Sequence, residues 1–277
     1  LKEKAKTPYS KNFQNYFYEP FTKTLKRYPE HTKSFELWKQ GMNSGVFKPQ
    51  FHGREHLNVH RWLRALRKNI GHVRLAFENY MFDLSTSLKI SENSFMEAFN
   101  FESSKEFEFQ KNAIIDGTQL FEDLFGYRSK TFIAPCYKWS NELNMTMKDL
   151  GIKGIQGSWF QLEPLPGEEH EFRKRFHYTG QKNKLGQIYL VRNAGFEPAQ
   201  KPEYDWVTDT INRAKIVFRW GKPLIIESHR LNFIGFIDDE NRNKNLSLLK
   251  ELLLKLKSNW PDIEFMSSDK LVRLILP

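Results

Sequence analysis

The chain is poor in the features that would assign it to a specialised class. It has one cysteine, Cys136, in 277 residues, so no intrachain disulfide framework can form, and cysteine usage leaves the redox compartment open. No uninterrupted apolar segment approaches the ~20 residues a membrane-spanning helix needs. No Gly-x-Gly-x-x-Gly or other glycine-rich phosphate loop follows a candidate strand, which removes the usual nucleotide-binding folds. Internal repeats, low-complexity tracts and a signal-peptide pattern are absent too. The missing signal peptide tilts the expected compartment toward the cytoplasm. The chain nevertheless opens on Leu1 rather than methionine, and residues are expected ahead of it.

What is present suits one soluble domain spanning 1–277. At 39% hydrophobic and 15% aromatic the chain can bury a sizeable core. The net charge is +10, from 43 Lys and Arg against 33 Asp and Glu. The basic residues are interleaved with acids along the chain, which describes a solvated basic surface rather than a nucleic-acid groove.

Apolar spacing predicts an N-terminal helical segment over 11–41, broken by Pro20 and Pro29, and a short strand over 46–51 leading into a helix that ends near Gly71. A strand is expected over 94–99, a long helix over 105–125 closed by Gly126, a strand over 131–135, and a helix from an Ser140 cap to Gly151. Further strands are expected over 152–159, 188–193, 224–229 and 263–266, with helices over 206–218 and 243–256 and an irregular excursion over 161–186. Alternating strand and helix signifies an α/β fold with a parallel sheet. Polar residues crowd several strand ends, which favours closure into a barrel over an open sheet.

Four of those ends carry chemistry-capable residues. His52 and His56 stand four apart at a strand-to-helix junction, where both imidazoles can face one ion from a single helical turn, with His60 continuing the face. The same spacing also arises by chance in helices and turns. The others are the 135–139 segment, Arg192 with Asn193, and Glu227-Ser228-His229. Alternation along a strand puts Glu227 and His229 on one side, the glutamate one layer deeper. His229 also reads as a polar cap on a buried strand, and Tyr137, Trp139 and Trp159 read as core more often than as binding platforms. A zincin-type protease is excluded, because Gly53 rather than glutamate follows the first histidine.

In order and spacing these motifs resemble the polysaccharide deacetylase family, which includes chitooligosaccharide and peptidoglycan deacetylases. Its metal motif is His-[Ser/Thr]-x-x-His, matched by His52-Gly53-Arg54-Glu55-His56 with glycine second. Its Leu-x-His acid motif corresponds to Ile226-Glu227-Ser228-His229, with the apolar residue one position further away. Its Arg-x-Pro-Tyr-like motif corresponds to Ile133-Ala134-Pro135-Cys136-Tyr137, where the proline matches and Ile133 replaces the arginine. The family's opening paired aspartates have no counterpart from Leu1 onward.

The resemblance implies a deformed (β/α) barrel of about seven parallel strands, missing its first strand upstream of residue 1. It implies a divalent metal, zinc first, held by His52 and His56, with His229 as general acid beside Glu227. Tyr137, Trp139, Trp159, Arg192 and Asn193 would meet a saccharide or polysaccharide substrate, whose N-acetyl groups are hydrolysed. The absent aspartates keep a second reading open, a carbohydrate-binding barrel of the same fold without catalysis. Oligomeric state is left open.

Overall fold

The computed structural model describes residues 12–84, 95–165 and 171–276. They group into two compact units, one of Leu1–Lys153 with Gln161–Arg175, the other of Gly154–Phe160 with Phe176–Pro277.

In the first unit the prolines divide the N-terminal segment as expected. Pro20 caps α1 (Phe21–Leu25), Pro29 opens a single 3-10 turn, and α2 (Ser34–Asn43) follows. Phe21, Phe35 and Trp38 gather around Phe125, with ring centroids 5.2–6.5 Å apart, so the aromatic stripe is largely packing surface. α3 (Val59–Arg67) starts at Asn58, whose side chain accepts the Arg61 N–H. With α4 (Gly71–Glu78) it buries Val59, Trp62, Leu63, Leu66 and Val73 against Phe95. α5 (Ser104–Phe125) matches its expected extent: Ser103 caps its start, and Gly126, at φ +76, ends it in the left-handed conformation that glycine adopts without strain.

His60 departs from expectation, for it does not share a face with His52 and His56. Its ring stands edge-on to Phe109 at 4.7 Å, and its Nε2 is buried with no partner among the described residues. Burial pushes its pKa below the ordinary 6.5, against the pull of Glu106. The fold therefore accommodates the neutral ring. Its contribution is complete above the unfolded value and declines as pH falls through the lower folded value. His60→Leu is expected to flatten the dependence of Tm on pH between about pH 7 and about pH 5; an unchanged slope would assign the acid sensitivity elsewhere.

Two expected strands of this unit shrink. Only Phe51 of 46–51 pairs, in parallel with Phe132 of β1 (Thr131–Ile133), through the Ile133 N–H and the Phe51 carbonyl. Pro49 has no N–H to offer a ladder, and 43–48 is exposed. Residues 95–99 form turns that bury Phe95 and Phe99, and Ser94 lies outside the described residues. α6 (Leu143–Asp149) begins three residues after Ser140, whose hydroxyl takes the Glu142 N–H. Within the expected excursion, β3 (Phe160–Pro164) and β4 (Phe172–Phe176) form a two-stranded sheet. Backbone bonds match Trp159 with His177 and Leu165 with Glu171, an antiparallel register.

In the second unit β2 (Gly154–Gly157) lies parallel to β5 (Ile188–Val191), with Gly154 opposite Ile188. The chain then runs on into β6 (Ala194–Gly195), parallel to β7 (Ile226–Glu227). α7 (Trp206–Arg219) is the crossover between these last two, the right length for a parallel connection. It packs Val207, Ile211 and Ala214 against Phe196 and against Leu252 and Leu256 of α8 (Asp239–Asn259). α9 (Ser268–Ile275) closes the unit, its Val272 on Ile188 and Leu190.

The expected closed barrel does not form among the described residues, where no sheet exceeds three strands. Closure needs each strand paired on both edges; 46–51 contributes one bridge, and 263–266 forms no strand, with Phe265 58% exposed. The result is a mixed α/β fold with parallel strands. No helix of the described residues is long and apolar enough to cross a membrane.

Candidate functional site

The His52/His56 pair is built by a turn rather than by the expected helix. Phe51 is pinned in the core at 2% exposure, and the chain leaves the β1 pairing through Gly53 at φ +95. A side chain here would be strained by that φ, and a Cβ would sit 3.3 Å from the Phe99 ring and 3.1 Å from the Glu55 carbonyl. This turn, ahead of α3, folds His56 back toward His52, and their ring centroids are 5.0 Å apart at 79°. Glycine at the motif's second position is therefore what the local backbone demands. Gly53→Ser, which writes the commoner motif, is expected to destabilise the chain by roughly 1–2 kcal/mol in urea unfolding; an unchanged midpoint would show that the turn tolerates a side chain.

Both rings are oriented through Nδ1. That of His52 donates to the Ile133 carbonyl at 2.8 Å, and that of His56 to the Met96 carbonyl at 3.0 Å. A carbonyl can only accept, so each neutral ring carries its proton on Nδ1 and its lone pair on Nε2, the arrangement metal-ligating histidines use. The donor set suits a borderline-soft divalent ion such as zinc. It supplies two ligands: among the described residues no group of three or more His, Cys, Asp or Glu side chains is placed to hold a metal.

Beside the pair lies a buried ionic cluster that sequence reading missed. Glu97, 5% exposed, accepts from Asn100 at 3.0 Å and Arg61 at 3.3 Å, and pairs with Lys138. Burial alone would push its carboxyl up, but the Lys138 and Asn100 hydrogen bonds and the Lys138 and Arg61 charges hold it below the ordinary value. Lys138 thereby anchors the 135–137 turn, in which Cys136 (φ 53) and Tyr137 (φ 56) are both left-handed. The Cys136 thiol reaches the same Met96 carbonyl as His56 at 3.5 Å, and burial and Glu97 push its pKa up, so it is no ready nucleophile. Tyr137 is half-buried. Trp139 is 1% exposed, with its indole N–H on Asn144, and offers no face to a sugar; it is core, because the chain turns inward again after Lys138.

The remaining candidates belong to the second unit. His229, with its side chain 58% exposed, donates from Nδ1 to Glu197 Oε1 at 2.7 Å, and its backbone N–H meets the same oxygen. The other Glu197 oxygen accepts from Asn232 at 2.9 Å, so this carboxylate, 8% exposed, is firmly held. Glu227, expected beside His229, pairs instead with Arg192 at 2.9 Å. The carboxylate that orients the imidazole is Glu197, two residues past β6, where the expected strand had already ended. Asn193 spends its amide on the Pro223 carbonyl and the Ile225 N–H, clamping the chain leading into β7 rather than presenting a polar group. Trp159 is 45% exposed and stacks on Phe176 at 6.0 Å and 15°.

No family model matches the chain, and no curated protein matches it in sequence. Among solved structures it is similar to one described as "Crystal structure of putative polysaccharide deacetylase from Mycobacterium smegmatis", with 9% identity and a TM-score of 0.42. The likeness covers 61% of this chain and 57% of that one, so the chain spans little more than half of the protein it matches.

Proposed function

We propose that the chain is a metal-dependent hydrolase that removes acetyl groups from an N-acetylated saccharide. The observation that carries the reading is the His52/His56 pair, with both Nδ1 atoms tied to backbone carbonyls and the ring centroids 5.0 Å apart. A divalent ion bound there would supply Lewis acidity toward the amide carbonyl and acidify a water. The Ile133 and Met96 carbonyls hold the two ligands in the required tautomer. In the second unit His229, oriented through Nδ1 by Glu197, has the geometry of a general acid when Nε2 is also protonated. In the first unit the half-buried Tyr137 supplies an aromatic face for a sugar ring. The chemistry also needs a third ligand and a general base, and a carboxylate is the group suited to both.

The test is acetate release from chitooligosaccharides and other N-acetylated glycans, with added zinc against added chelator. Zinc-dependent release supports the reading. Glycan binding without release at any metal concentration would replace it with the non-catalytic carbohydrate-binding fold.

A further inference from the structure

The cleft that holds His52 and His56 is larger and more apolar than an acetyl group requires. Its volume is about 680 Å³, within the range that encloses whole small-molecule ligands. At roughly 30 Å³ per heavy atom, a share comparable to that of a water molecule, the three heavy atoms of an acetyl group fill about 90 Å³. Away from the histidines the wall is Phe21, Trp38, Phe121, Leu124 and Phe125. A hydroxyl-rich ring would find few partners there. Of the charged groups in the wall, Glu19 is held by Arg27 and Thr24, and Arg54 by Glu55 and Asp116.

Gln50 lines the cleft two residues before His52, its Oε1 accepting from Thr131 at 2.6 Å. Its Nε2 is buried away from the cleft space, so the polar end of the cleft is the imidazole pair. The cleft thus pairs that polar end with an apolar end of five aromatic and aliphatic side chains.

We infer that this cleft takes the acyl part of an N-acyl saccharide whose chain is longer than acetyl. The amide lies at the histidines, and the aliphatic chain runs along Phe21, Trp38 and Phe125. This rests on the proposed hydrolase reading for the placement of the amide, whereas the choice of an acyl chain rests on the wall.

The test is calorimetric titration of the whole chain with N-acetyl-, N-butanoyl-, N-hexanoyl- and N-octanoyl-glucosamine, with amine release followed separately. Affinity is expected to rise by up to about fourfold per methylene until the cleft is filled. Trp38→Ala should weaken octanoyl binding by on the order of tenfold and acetyl binding by less. Affinity that is flat along the series of the unaltered chain overturns the inference, whether or not the variant folds. Acetate release with flat affinities leaves the hydrolase reading standing without the acyl cleft. Chain-length-dependent binding without amine release from any member leaves the cleft and removes the hydrolase.

Discussion

On the proposed reading, alanine at His52 or at His56 is expected to abolish metal-dependent acetate release while leaving the fold intact. Each substitution leaves a single imidazole where two converge, and removing even an outer partner of a metal ligand costs about 10- to 100-fold in affinity or activity. Loss of a ligand should exceed that, and losing the ion forfeits several kcal/mol of barrier lowering, on the order of 10²- to 10⁴-fold in rate. The fold should persist because His52 is exposed and the neighbouring anchor, Phe51, is untouched. Zinc content by elemental analysis, beside acetate release across a zinc series, separates the cases. Zinc retained at full stoichiometry in both variants would remove the pair as a metal site. Zinc lost from both, with acetate release unchanged, would remove the metal from the reaction.

Glu97→Ala is expected to be the most damaging substitution for stability. Arg61 and Glu97 have side chains only 7% exposed, and Lys138 is 15% exposed. Removing the carboxylate leaves Arg61 charged in the interior, where breaking a buried pair costs about 3–5 kcal/mol. Glu102, 3.7 Å from the Arg61 Nε and shared with Arg64, is the remaining carboxylate near that charge, and it compensates only in part because two guanidinium nitrogens of Arg61 lack hydrogen-bond partners among the described residues. Urea unfolding measures the loss, and a change below about 1 kcal/mol, the usual worth of an exposed pair, would show that the cluster is solvated. The pH dependence has a definite sign. Because the folded carboxyl titrates below its ordinary value of 4.5, its contribution is present above that value and is lost on acidification through the folded one. Glu97→Gln should therefore flatten the acid limb of the stability profile. The 135–137 turn should loosen with it, since Lys138 is its tether.

What could be read from the sequence follows the range of the interactions involved. α5 was legible end to end because its determinants are local: apolar spacing, a Ser103 cap and a Gly126 stop. α7 and α8 were legible for the same reason. The strands were legible only where a partner existed for them. The 263–266 segment has strand composition but no ladder, and 94–99 has the aromatics of a strand but spends Phe95 and Phe99 on turns, because pairing and burial are decided by distant chain. The candidate site divides likewise. The His52/His56 pairing could be read from spacing, but its cause could not, since a left-handed glycine rather than a helical face brings the rings together. Glu197 and Glu97 stayed hidden because their partners lie 32 and 41 residues away, and an isolated glutamate carries no sign of whom it will meet.

The interleaving of the two units has a consequence for synthesis on the ribosome. Residues 154–160 belong to the second unit, yet the first unit is not complete until residue 175. Gln161 caps the Trp139 carbonyl at 2.8 Å, and Glu163 takes the Asn141 N–H at 3.2 Å while pairing with Arg175. A nascent chain halted at residue 153 would lack the Gln161 donor to the Trp139 carbonyl and the Glu163 acceptor of the Asn141 N–H, each such hydrogen bond contributing about 0.5–1.5 kcal/mol. The first unit therefore cannot finish folding as its own stretch of sequence emerges. At about 5–20 residues per second it waits a second or more for the β3–β4 hairpin. Expression of the first 153 residues alone would yield a fragment that the cell's proteases can open.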